Sequence, residues 1–144
     1  MGSEIMGRVT VKVRVENLAD LLKAREGQLT PNEVRRLDVD DALVDTGATM
    51  LSLPKAQIKQ LGLKKFSSRQ MRTARGTAKF NIFDAVRLTI EGRECTLDVA
   101  EVPDDCPVLI GQIPLEMLDF VVDLNKRKLI GNPDHGGKFM HDMF

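Results

Sequence analysis

The residues best placed to do chemistry lie in the stretch ALVDTGATMLSLP, Ala42 to Pro54. Asp45 closes a short apolar run and is followed at once by Thr46, Gly47, Ala48 and Thr49. A lone carboxylate beside apolar neighbours is costly unless it is paired, hydrogen-bonded or used. Asp, Thr and Gly are all common turn residues, so Asp45 can simply open a turn. A second stretch echoes the first. PVLIGQ is also an apolar strand ending in a glycine turn, and each is followed by a proline-containing helix signal. A domain built from two similar halves shows this pattern.

The elements that must position these residues read as mainly β. GRVTVKVRVEN alternates Val with polar residues from Val9 to Val15, which predicts a half-buried strand. The region after it is less regular. Thr30-Pro31-Asn32-Glu33 has the form of a capping box at a helix start, whereas VRRLDV alternates like a strand, so a loop or short helix feeding a strand is expected. DALVDTG follows as a strand ending in a turn. Pro54 opens PKAQIKQLGL, a helix with Ile58 and Leu61 on one face and Gly62 as its stop. Two hairpins come next, one turning around Arg75-Gly76 and the other around Glu91-Gly92. IPLEMLDF reads as a short helix with Pro114 near its first turn and Leu115, Leu118 and Met117 facing inward. FVVDLNKRKLIGN closes as strand, Asn-Lys-Arg turn and strand. Many short strands with two or three short helices make one mainly β domain.

At 144 residues the chain is long enough to bury a single core without staples. Its 21 basic and 21 acidic residues cancel, which leaves no general basic field to hold nucleic acid or anionic lipid. The basic stretches RRLD and LKKFSSRQMRTAR are read as solvated faces and hairpin tips. Cys95 and Cys106 form no CxxC; one pairing between them is open, but buried reduced thiols of an intracellular protein are the expected state. Met50, Met71 and Met117 are read as core filler. No apolar run approaches the ~18 residues needed to span a bilayer. The start, MGSEIMGR, lacks the apolar region of a signal peptide, and Met6 stands where N-myristoylation requires Ser or Thr. A soluble, cytoplasmic protein with no membrane or nucleic-acid partner is expected.

Two family resemblances remain. VDTGAT fits the Asp-x-Gly-x-Thr phosphate loop of actin-like and sugar-kinase folds letter for letter, but that fold has two large lobes for which 144 residues leave no room. The second resemblance takes in more of the chain. Ala42-Leu43-Val44-Asp45-Thr46-Gly47-Ala48, with Val108-Leu109-Ile110-Gly111 before a short helix, resembles the retropepsin-like aspartic proteases. The hairpin around Arg75-Gly76 sits where that family places its flap. The likeness runs from about Val9 to Asn132, and LVDTGATMLSLP and VLIGQIPLEMLDFVVDLNKRKL look closest to small bacterial members. It implies a single-lobe acid protease fold, a closed β-barrel-like domain with short helices, active as a symmetric dimer.

That resemblance also implies a chemistry. Each chain supplies one catalytic aspartate, Asp45, and two chains pair so that both copies meet on a two-fold axis. Two carboxylates about 4 Å apart repel by roughly 4 kcal/mol at an effective dielectric near 20, so the pair holds one proton and titrates as a unit. The ionised member takes a proton from a water between them, the water attacks the peptide carbonyl, and the protonated member donates to the carbonyl oxygen. Neither metal nor cofactor is called for. In the active-site loop, Gly47 permits the turn and offers its amide to Asp45, Thr46 reaches the partner chain's backbone, and small Ala48 leaves room for substrate. Ile110 and Gly111 form the second loop, Gly111 letting it pass close beneath the first. Arg75, Gly76 and Thr77 make the flap tip over an extended peptide. Leu43, Ile82, Val108 and Ile110 are the expected cleft walls.

The chain departs from the retroviral pattern in three ways. Many retroviral enzymes carry an acidic residue and an arginine where this chain has Thr49 and Gln112, an ion pair that braces the dimer. The chain has neither Tyr nor Trp, so the flap tyrosine of pepsin-like enzymes is missing, as it is from retroviral flaps. Residues 133–144, NPDHGGKFMHDMF counted from Asn132, extend beyond the compact pattern as a tail to a protease domain of residues 1–132. Asp134, His135, His141 and Asp142 have metal-binding side chains, but the tail's apolar set, Phe139, Met140, Met143 and Phe144, favours packing at the dimer interface or in the substrate groove. The expected function is aspartic endopeptidase. The alternative is a retropepsin-fold dimerisation or peptide-binding module without proteolysis.

Overall fold

The computed structural model describes residues 8–143; Phe144 of the tail and Met6 of the amino-terminal stretch lie outside them. Strand β1 (Val9–Asn17) follows its alternation, with Val9, Val13 and Val15 buried, Val11 part-buried against the core, and Thr10, Lys12 and Arg14 turned outward. Asn17 then caps helix α1 (Leu18–Arg25) by accepting from the Asp20 amide at 3.0 Å. Asp20 is itself buried, and Arg35 grips it through Nε at 2.8 Å and Nη2 at 3.0 Å. That guanidinium holds the Asp20 carboxyl below the usual range against the opposing effect of burial. The Thr30–Glu33 capping box is present, yet it closes only a 3-10 turn, Pro31–Glu33, before the chain extends into β2 (Arg36–Val44).

β3 (Leu51–Pro54) leads into α2 (Lys55–Gln60), which buries Ile58 and Leu61 and stops at Gly62 with φ +70°. β4 (Lys65–Thr73) and the long β5 (Gly76–Ile90) form the first hairpin, whose two-residue turn is Ala74-Arg75, with Gly76 at φ +111°. Glu91 and Gly92, both at positive φ, join β5 to β6 (Arg93–Val102). β7 (Leu109–Ile110), α3 (Gln112–Met117), β8 (Phe120–Asp123) and β9 (Lys128–Gly131) complete the body.

The strand order is β1-β2-β7-β3-β6-β5-β4, and β5 also pairs with β1 through Arg14↔Thr89 to Asn17↔Val86. Six strands therefore close into a barrel, and β4 hangs from the first half of β5 as an edge strand. This is the mainly β, closed, single-lobe architecture expected. Leu51, Leu53, Leu61, Leu88, Ile90 and Ile110 fill the interior, each worth about 1.5–3 kcal/mol of burial. On α3, Leu115 and Leu118 face inward, but Met117 does not: it is 36% exposed, since a position two residues from Leu115 lies on another face of the helix. Met50 is buried and Met71 packs against the small cluster it makes with Ile82 and Ala100. Cys95 and Cys106 are free and only part-buried; burial pushes the Cys95 thiol up to about 11. Among the described residues no helix is long and apolar enough to cross a membrane.

Candidate active site

Asp45 is placed by two strands running side by side. β2 and β7 are parallel, with Leu43↔Leu109 and Val44↔Ile110 in register. The Leu43 amide donates to the Val108 carbonyl at 2.8 Å, and the Asp45 amide to Ile110 at 3.0 Å. The two glycine turns that end these strands then lock together. The Gly111 amide bonds the Met50 carbonyl at 3.1 Å, Gln112 bonds Ala48 at 2.9 Å, and Ile113 bonds Thr49 at 3.0 Å. A Cβ on Gly111 would stand 2.6 Å from the Met50 carbonyl oxygen and 2.6 Å from the Thr49 carbonyl carbon, both fixed backbone. Only glycine lets the loops approach this closely.

Within the first loop, the Ala48 amide closes a turn onto the Asp45 carbonyl at 3.0 Å. The Gly47 amide donates to Asp45 Oδ1 at 3.0 Å. Asp45 Oδ2 has no hydrogen-bond partner among the described residues, and the side chain is part-exposed. Thr46 and Thr49 are exposed beside it. The carboxylate is thus held in one orientation by a single donor with its second oxygen open to solvent, a geometry suited to taking or giving a proton.

A cleft of about 500 Å³ opens beside this loop. Gly47, Ala48, Thr49, Met50, Leu109 and Ile113 line one side, and Arg69 to Thr73 with Phe80 line the other. Arg75, Gly76 and Thr77 stand beyond it, at the exposed tip of the hairpin. The expected walls are corrected. Val108 and Ile110 point into the barrel core, and it is Leu109 between them that faces the cleft. Ile82 is buried under the cleft floor with Met50 and Ala100, and Leu43 lies half-buried outside the cleft. The hydrophobic pattern marks these strands as apolar throughout, and only the barrel decides which alternate residues turn outward. Arg69, Arg72, Phe80, Val102 and Ile113 are among the cleft residues not anticipated; the register Arg69↔Phe80 in the hairpin is the signal that relates two of them.

The tail occupies a different place. Asp119, at φ +57° between α3 and β8, is buried and accepts from His135 Nδ1 at 2.7 Å, Asn132 Nδ2 at 3.2 Å and the Met140 amide at 3.2 Å. Burial pushes the Asp119 carboxyl up, but these donors outweigh it and leave the group below its ordinary value. The same bond raises His135. Arg93 reaches the carbonyls of Leu118 at 2.9 Å, Asp119 at 2.8 Å and Gly137 at 2.6 Å, with its guanidinium 4.5 Å from the centre of the Phe120 ring. His141 Nε2 meets the Glu116 carbonyl at 3.0 Å. Residues 133–143 are therefore stitched to α3, β8 and β9 of their own chain, and none of them enters the cleft, which corrects the groove expectation. His135 and His141 are engaged in these bonds, and among the described residues no cluster of three metal-binding side chains occurs. Phe139, Met140 and Met143 stay exposed.

The family model described as gag-polyprotein putative aspartyl protease matches residues 37–123, from β2 to β8, and so takes in the Asp45 loop, the β4–β5 hairpin and the Gly111 loop. No curated protein matches the chain.

Proposed function

The chain belongs to the gag-polyprotein aspartyl protease family, and from that premise we propose that it is an endopeptidase working as a symmetric homodimer with Asp45 as its catalytic residue. One observation supports this most: a carboxylate with one oxygen fixed by the Gly47 amide and the other unpartnered among the described residues, set on two interlocked loops beside an apolar cleft. One such carboxylate cannot act as both base and acid in the same step. A second copy of the chain supplies the other, in an isologous contact about a two-fold axis.

The two copies of Asp45 share one proton because like charges this close do not both ionise. The ionised carboxylate takes a proton from a bound water, whose oxygen attacks the scissile carbonyl carbon. The protonated partner gives its proton to the carbonyl oxygen, forming a neutral gem-diol. Collapse of that intermediate breaks the C–N bond, with a proton passing to the leaving amine. Gly47 orients the carboxylate, Thr46 ties the loop to the partner chain's backbone, and Ala48 leaves room for substrate. Ile110 and Gly111 support the loop from below. Arg75, Gly76 and Thr77 close over the bound peptide as the hairpin tip. Residues 1–132 make up the protease domain and 133–144 a tail, whose described part is clasped to it.

The test is cleavage of a peptide library, read by mass spectrometry from mildly acidic to neutral pH, with Asp45→Asn alongside and dimer content measured by sedimentation. Cleavage that disappears in the mutant establishes the mechanism. A wild type that is dimeric and cleaves nothing overturns it and leaves a peptide-binding module with this fold.

A further inference from the structure

The β4–β5 hairpin carries Lys64, Lys65, Arg69, Arg72, Arg75 and Lys79 at its base, along its strands and at its tip, and no acidic residue occurs from Lys64 to Phe83. In a chain whose charges cancel only when counted as a whole, this is a strong local concentration of one sign. Its place in the fold gives it meaning. The hairpin lines the cleft, and among the described residues that line it Arg69 and Arg72 are the charged ones. The rest of the wall is largely apolar, including Met50, Phe80 and Val102.

These two arginines also differ from the others that shape the body. Arg14, Arg35, Arg36 and Arg87 each hold a carboxylate at hydrogen-bond distance, from 2.8 to 3.3 Å. Arg72 has no carboxylate or hydrogen-bond partner among the described residues. Arg69 has only Asp98 at 3.7 Å, an exposed contact that holds it weakly. Beneath both, β4 is the terminal strand of its sheet, so one edge of its backbone is free to pair with an extended chain. An apolar cleft, an open strand edge and two guanidiniums that no carboxylate holds at hydrogen-bond distance among the described residues fit one occupant better than others.

We propose that this site selects extended peptides in which Asp or Glu flanks an apolar segment, with Arg69 and Arg72 as the specificity-determining residues. The proposal rests on the proteolytic reading for the identity of the site and adds the charge of its substrate. A guanidinium takes a carboxylate through paired N–H donors, so the preference extends to both acidic residues and is lost with their amides. Because the cleft is open to solvent, added salt weakens it.

The experiment uses the full chain and matched peptides sharing one apolar core, flanked by Glu, Gln or Lys. Wild type is expected to give kcat/KM roughly fivefold higher for Glu than Gln at each arginine-facing position, with Lys lowest and the spread shrinking as salt is raised. Arg69→Glu with Arg72→Glu is expected to reverse that ranking, whereas Arg25→Gln, which changes net charge outside the cleft, leaves it in place. Affinities of the same peptides for the Asp45→Asn protein give a readout independent of catalysis. If wild type cleaves all three sets equally, the charge proposal is overturned and the peptidase stands. If nothing is cleaved but Asp45→Asn binds the Glu peptides best, the peptidase reading fails and the charge proposal holds. Equal binding of the three sets, or no binding, overturns it.

Discussion

Two aspartates in this chain close apolar segments and begin a change of direction, yet they are treated in opposite ways. Asp119 is only 5% exposed, sits at positive φ, and is surrounded by a histidine, an asparagine amide and a backbone amide. Asp45 is part-exposed and receives one amide, from Gly47. A carboxylate saturated with donors is held ionised and immobile, and it has little capacity left to exchange a proton. One with an open oxygen is fixed in direction but still able to react. The difference separates a structural anchor, which gathers the tail onto α3 and β8, from a group proposed to do chemistry.

The sharpest way to break this comparison is to neutralise each aspartate in turn. Asp45→Asn is expected to lower peptide cleavage by at least about a thousandfold while leaving the thermal midpoint near that of the wild type. If Asp45→Asn unfolds the protein instead, Asp45 is an anchor as well. Gly111→Ala attacks the support rather than the group. Its Cβ would meet backbone at 2.6 Å, so a loss of about 3 kcal/mol is expected, seen as a fall of roughly 10 °C in the midpoint. Asp119→Ala is expected to release the tail, raising hydrogen exchange at the Met140 amide at least about tenfold while the cleft keeps its shape. Unchanged exchange there would show that the Arg93 and His141 contacts hold the tail without Asp119.

The last prediction concerns pH, and it sharpens the same contrast. His135 is raised above 6.5, so its contribution to the clasp is complete below that pH and fades as pH climbs through the raised value. Asp119 is lowered below 3.8, so its contribution is complete above that pH and fades as pH falls through the lowered value. Tail protection should therefore peak between 3.8 and 6.5. Limited proteolysis of the tail from below pH 3.8 to well above pH 6.5 measures it, and His135→Gln should flatten the upper limb.

Much of this molecule is legible in its residues, for reasons that can be named. The alternation of Val9, Val13 and Val15 needs no tertiary partner to be read, because a strand has two faces wherever it lies. The end of α2 at Gly62 and the turn at Glu91-Gly92 follow from local backbone geometry. Helix α1 is harder to read, since its key residue, Asp20, is made tolerable by Arg35 fifteen positions away. Asp119 gave no signal for the same reason: its donors lie at 132, 135 and 140, beyond a hairpin. The sequence points to Val108 and Ile110 as cleft walls instead of Leu109 because a uniformly apolar strand carries no parity of its own.

By itself, then, the sequence determined the mainly β class, the family, and the two glycine-ended strands that hold Asp45, since these depend on local pattern and short motifs. The tertiary structure decided which side of each apolar strand meets the cleft, that a basic hairpin lies along it, and that the tail is clasped to its own chain. Those outcomes depend on pairings between residues far apart in sequence, and barrel closure selects among registers that local propensity leaves open.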